Sequence, residues 1–124
     1  MWGKSDNNRC NYCNEFDTIE HHLYMCTESQ NIWQSVQRWC STNLEIKYDL
    51  TICEVLFGIP TNTSADMDII NFLILIGKYY INKTKINNKD FYFIEFIECI
   101  RNKIISIVYR NTITEWQERL HNIL

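Results

Sequence analysis

Apolar positions along this chain recur mostly at intervals of three and four, the spacing that places side chains on one face of a helix. Ile32, Trp33, Val36, Trp39 and Cys40 form one such stripe, and Phe93, Ile97, Ile100, Ile104 and Val108 form another. Ile113, Trp116, Leu120 and Ile123 make a further stripe, and from Asn111 and Thr112 the last two read equally as one bent helix or as two. Ile69, Ile70, Phe72, Leu73, Ile74, Leu75 and Ile76 leave almost no polar face, which predicts a central helix capped by Asp66 and running to about Thr84. Thr51 to Phe57 spans about two turns before Gly58 and Pro60 end it. The stretch "FYFIEFIECI" is rich in aromatic and β-branched residues, but its helical spacing and the absence of hairpin turns argue against a strand. The fold class is mainly α: a bundle of about four to five helices.

Capping patterns agree with the periodicity. Asp17-x-x-Glu20, Thr27-x-x-Gln30, Thr51-x-x-Glu54 and Thr112-x-x-Glu115 each place a capping side chain three residues before Glu or Gln, the arrangement that satisfies free amides at a helix start. With three glycines, one proline, no repeat and no low-complexity tail, nothing divides the chain. Residues 1–124 therefore read as one domain, with a small module over 8–28 and a helical bundle over 28–124.

Composition narrows the class. At 46% hydrophobic and 14% aromatic, 124 residues can bury a core. The longest apolar run, Phe72 to Gly77, is about a third of the roughly 20 residues that span a bilayer, so no membrane partner is expected. No secretory leader follows Met1, which points to an intracellular, reducing compartment, cytoplasm or nucleus, and to cysteines that are thiols or metal ligands. The net charge is −3: residues 1–50 carry four basic and seven acidic side chains, and residues 51–124 carry eight of each. That balance argues against strong autonomous binding to phosphate backbones. One segment departs from it. Gly77 to Lys89, "GKYYINKTKINNK", holds Lys78, Lys83, Lys85 and Lys89 with no acid, and any nucleic-acid contact should centre there.

The candidate chemistry lies in "CNYCNEFDTIEHHLYMC", residues 10–26, with spacing Cys10-x2-Cys13-x7-His21-x4-Cys26. Zinc takes four thiolate or imidazole ligands in a tetrahedron, and a C-x2-C turn offers two from one side. The other two would come from one following helix, started by Asp17-x-x-Glu20. Two histidines compete for the fourth place. His22 and Cys26 are an i, i+4 pair on one helical face, whereas His21 and Cys26 are i, i+5 and need the helix to end or tighten near Cys26. Against His22, Ile19, Leu23 and Tyr24 should face the core, which leaves His21 on the side where the Cys10–Cys13 turn folds back.

The order C-x2-C-x7-H-x4-C, followed by Trp33 seven residues after the last cysteine, resembles the zinc-binding segment near the C-terminus of LINE-type, non-LTR retrotransposon reverse transcriptases. In that family the run after the second cysteine reads like "E-x-x-T-x-E-H-x-x-x-x-C", and Thr18, Glu20, His21 and Cys26 of "NEFDTIEHHLYMC" fall on it. The resemblance implies that Cys10, Cys13, His21 and Cys26 hold one structural Zn2+, with His22 in a place that is usually apolar. Downstream, "NFLILIGKYYINKTK" is similar to the hydrophobic helix and basic stretch that follow in the family. The implied role is to help hold RNA or target DNA beside a polymerase during target-primed reverse transcription, with the rest of the polyprotein as partner. Met1, nine residues before the first ligand, suits a truncated reading frame. The rival expectation is a protein–protein adaptor stapled by zinc.

Other residues read more simply. Cys40, Cys53 and Cys99 sit on or near apolar stripes as small buried thiols. Asp66 and Asp68 suit a helix start better than a cation site, and Trp33 and Trp39 suit a core better than base stacking. No G-x-G-x-x-G, P-loop, H-E-x-x-H or G-x-S-x-G occurs, nor the adjacent aspartates of a polymerase "Y-x-D-D". No enzyme activity and no small-molecule substrate are expected.

Overall fold

The structure, a computed structural model, describes residues 9–60, 64–110 and 113–124. A π-helical turn, His21–Met25, leads into α1 (Thr27–Asn43), α2 (Ile52–Phe57), α3 (Ala65–Ile86), α4 (Phe93–Tyr109) and α5 (Glu115–Ile123). The described residues contain no strand beyond one antiparallel bridge between Arg9 and Phe16. The fold is mainly α, with the cysteine- and histidine-rich segment packed on the helices. None of the described helices is long and apolar enough to cross a membrane.

Helix α3 is the hub, in contact with the π-turn and with every other helix. Its buried positions include Ile69, Ile70, Leu73, Ile74, Tyr80 and Ile81, a single face at helical spacing. The apolar run is therefore not buried all round: Leu75 is 63% exposed. Helix α1 lays Trp33 over this face where Gly77 allows close approach. A Cβ at position 77 would stand 2.5 Å from the Trp33 ring, and the indole Nε1 donates to Leu23 O at 2.7 Å. From α4, Phe96, Ile97, Ile100 and Ile104 close the core, joined by Leu120 of α5. The two C-terminal stripes are thus separate helices, and Val108 and Ile123 lie at their partly exposed edges. Trp39 is only half-buried against the core.

Helix starts depart from several predicted caps. Thr51 caps α2, its amide donating to Glu54 Oε1 at 3.2 Å, and Gly58 ends that helix at φ 79, a left-handed value that glycine adopts without strain. Asp17 does not cap the helical segment that follows it: Thr18 does, its Oγ1 accepting from the His21 amide at 3.1 Å. Thr27 is the first residue of α1 and Cys26 its cap. Ser64, not Asp66, precedes α3, and Asp66 in the first turn pairs with Arg119 of α5 at 2.9 Å. Helix α5 is capped by Thr114, whose amide donates to Gln117 at 2.9 Å. The predicted cap Thr112 lies outside the described residues.

Candidate metal centre

The segment before α1 folds back as a knuckle. Asn14 N donates to Cys10 O at 2.9 Å and Cys10 N to Glu15 O at 2.8 Å, with Asn14 in the left-handed region at φ 61, which asparagine tolerates. The Tyr12 amide points at the Cys10 sulfur, 3.4 Å away. This tight turn brings Cys10 and Cys13 together.

His21 and Cys26 come from the π-turn and its end, and here the structure places the two histidines apart. The helical turn does end near Cys26, which stands in extended backbone after Met25, but before it ends it widens rather than tightens. Cys26 N donates to His21 O at 2.9 Å, an i→i+5 bond. The extra residue in the turn brings His21 and Cys26, five apart, to one face, and sends His22 to the opposite side. His22 is fully buried, with Nε2 3.0 Å from Asn82 Oδ1 of α3 and Nδ1 3.6 Å from Asp17 Oδ2. It ties the π-turn to α3 and takes no part in the cluster.

The donor atoms of Cys10, Cys13, His21 and Cys26 all lie within 4.8 Å of one another. The Cys10 and Cys26 sulfurs are 3.7 Å apart, and His21 Nε2 is 2.9 Å from Cys13 Sγ. Zinc–sulfur bonds of about 2.3 Å and zinc–nitrogen bonds of about 2.0–2.1 Å in a tetrahedron separate ligand atoms by roughly 3.5–3.8 Å. The cluster is thus close to the size one metal ion needs: the Cys13–His21 edge would lengthen, and the donor pairs that approach 4.8 Å would draw in. Together the four side chains could supply all four donors of a tetrahedral ion.

Electrostatics around the cluster favour ligating forms at two of its members. Burial, followed by the Lys85 ammonium, lowers the His21 pKa from its ordinary value, which favours the neutral imidazole. Burial alone would raise the Cys26 thiol, but Lys85 and the Glu28 and Ser29 amides at the start of α1 bring it below its ordinary value. Cys13 is different: burial and the neighbouring thiols push it up to about 11, so this thiol needs a cation to lose its proton near neutral pH.

The knuckle docks on the C-terminal end of α3, the very stretch expected to meet phosphate. Tyr12 OH donates to Lys89 O at 2.7 Å and to Thr84 O at 3.2 Å, Asn11 pairs with Asn88 at 3.0 Å, and the Tyr12 ring meets Phe91 edge-on. The four lysines therefore part company. Lys83 and Lys89 are exposed. Lys78 is half-buried with its ammonium 3.4 Å from Leu56 O. Lys85 is only 2% exposed and donates to His22 O at 2.9 Å. The expectation of a phosphate contact at Lys85 is corrected: it lies on the α3 face that carries Ile81 and Thr84 inward. Among the remaining thiols, Cys40 is buried and pushed by that burial up to about 12, Cys99 is half-buried, and Cys53 is exposed, contrary to expectation.

Tyr12, Ser29, Asn82 and Lys85 are site residues that the ligand spacing did not reveal. Ser29, fully buried, donates to His22 O at 2.9 Å and so holds the same carbonyl as Lys85. The signal that was available is positional: Lys85 falls on the helical register of the buried face of α3, one turn beyond Ile81. The class defined by fold and site is a mainly α protein with a Cys3His cluster able to hold one metal ion at the junction of an N-terminal knuckle and the central helix. Comparison with protein-family models, curated proteins and solved structures gives no match.

Proposed function

We propose that Cys10, Cys13, His21 and Cys26 hold one structural Zn2+ that fastens the knuckle to the helical bundle, and that the chain is the C-terminal zinc-binding segment of a LINE-type reverse transcriptase. The observation behind the metal reading is the π-turn that brings His21 and Cys26 into one tetrad with the C-x2-C turn. Three thiolates and an imidazole with no open position favour zinc in a structural role over hard cations, which prefer oxygen ligands. The retrotransposon reading rests on the motif order and on His21 standing where the family places its ligand. In this role the chain helps to hold RNA or target DNA beside a polymerase without catalysing the reaction itself. The genomic sequence upstream tests it: an in-frame polymerase region with "Y-x-D-D" supports the reading, and an independent promoter with its own start codon refutes it.

The burial of Lys85 favours a second reading, a zinc-stapled protein–protein adaptor. With Lys85 turned inward, the basic stretch keeps two exposed lysines, and Lys83 and Lys89 share their groove with Glu95 and Glu98. An anisotropy titration with single-stranded RNA and duplex DNA at two salt concentrations separates the readings. Weak, salt-sensitive binding near 10⁻⁴–10⁻⁶ M, on the order of non-specific affinities, fits the nucleic-acid role, and no binding at low salt fits the adaptor.

A further inference from the structure

A lysine buried in the last turn of a helix is uncommon unless its charge is paired. Lys85 is 2% exposed, and among the described residues no carboxylate lies within ion-pair reach of its ammonium. Its neighbours are the His22 carbonyl at 2.9 Å, the Cys10 sulfur at 3.9 Å and, beneath it, the Tyr12 ring at 5.9 Å. The carbonyl satisfies one donor but carries no charge. The group that can is the thiol cluster.

We infer that Lys85 is the counter-charge of the metal centre: its ammonium sits against the Cys10 sulfur to balance the net negative charge of a divalent ion held by three thiolates and a neutral imidazole. This deepens the structural-zinc reading and rests on it. The bookkeeping is simple, since Zn2+ with three thiolates leaves one negative charge and Lys85 supplies one positive charge, so the metal, its ligands and Lys85 together are neutral. Removing a thiolate or supplying a fourth would leave a net charge in a place with little water, which is costly. The same contact explains the path of the chain. Lys85 and Ser29 converge on His22 O, so the residue that faces away from the metal fixes, through its backbone, the cation that faces toward it. Lys85 is a positioning residue of the centre and not a ligand.

The test uses the whole chain loaded with cobalt in place of zinc, with affinity read by chelator competition and the thiolate-to-cobalt band read by absorption. Lys85→Met keeps length and apolar bulk but removes the charge. The expected result is a loss of about 10–100-fold in metal affinity, the range seen when groups supporting metal ligands are removed, together with a shift of the band to lower energy, because a thiolate without a nearby cation gives up electron density more readily. Retained affinity and an unmoved band in Lys85→Met overturn the inference while leaving the zinc site standing. If Lys85→Met loses helical circular dichroism, the same readings on Lys85→Arg decide: wild-type band and affinity uphold the role of charge, and losses equal to those of Lys85→Met refute it. A wild-type chain that takes up no cobalt refutes the structural-zinc reading itself, and this inference with it.

Discussion

At the scale of single residues, the two adjacent histidines have opposite tasks, and mutation should separate them. His21→Ala removes one of four donors and should abolish tight metal binding. His22→Ala should keep one metal per chain but cost about 1–3 kcal/mol of stability, because it removes a buried hydrogen-bonding partner of Asn82. Metal content of the two variants, measured beside their thermal unfolding, checks both halves. Trp33→Ala should cost about 3–5 kcal/mol as a large ring leaves the core. Gly77→Ala presses on the same ring from the other side. Alanine gains about 1 kcal/mol over glycine in a helix interior, yet a Cβ 2.5 Å from a fully buried indole forces a shift, and overpacking of about 1–3 kcal/mol should win. A Gly77→Ala chain that melts above the wild type would show that the indole yields more easily than its bond to Leu23 O suggests. Protonation acts on the ligands directly. The His21 pKa lies below its ordinary 6.5 in the folded chain, so between that lowered value and 6.5 the unfolded state binds more protons, and stability rises with pH and is lost on acidification. Metal binding adds to this slope, since thiols such as Cys13 must release protons to ligate. Metal affinity should therefore drop steeply on acidification from neutral pH, as read by chelator competition across that range.

At the scale of elements, the long periodic segments were legible and the junctions were not. Helix α3 could be placed because nine of its positions bury at helical spacing over 22 residues, a signal that one misplaced cap does not erase. The caps themselves slipped by a residue or two, as at Thr18 for Asp17 and Ser64 for Asp66, because several short polar side chains stand near each helix start and tertiary contacts choose among them. Asp17 is drawn inward to His22 and Asp66 outward to Arg119. The π-turn had no sequence signature at all. It arises because His21 must meet Cys26 while His22 enters the bundle beside Asn82, and an α-helix cannot send them that way. The tetrad was legible from spacing, and the choice of His21 from family register, but the mechanism that achieves it was visible only in three dimensions. The basic stretch shows the converse error. Its composition suggested one phosphate-binding strip, whereas its helical register divides it, with Lys85 inside and Lys83 and Lys89 outside. Any phosphate grip should now depend on the latter two. Replacing both by Gln should weaken binding to all sequences alike and lower the salt slope by about 0.9 per lost contact on duplex DNA or about 0.7 on single strands. Unchanged slopes would assign any binding to another surface.

For the whole molecule, the knuckle adds little apolar surface of its own to the core, and Phe16 and Met25 beside it remain exposed. Among the described residues its attachment to α3 and the turn after it includes the polar contacts of Asn11, Tyr12, His22 and Lys85, which hold one geometry only if the turn is already formed. Metal binding should form it. Structural zinc contributes roughly 10–16 kcal/mol of apparent binding energy in finger peptides near neutral pH, more than a small domain's usual total stability of about 5–15 kcal/mol. Chelation should therefore unfold residues up to about the start of α1, with amide exchange rising there first, while the α3–α4 core, closed by Leu73, Phe96 and Ile100, keeps its helicity. The most direct test is metal content of the purified full chain, by elemental analysis, together with the absorption of its cobalt-substituted form. The account predicts about one zinc per chain and an intense thiolate-to-cobalt band with the visible spectrum of a tetrahedral ion. A chain that retains its fold with no bound metal, or a cobalt form that lacks the thiolate band, would contradict it.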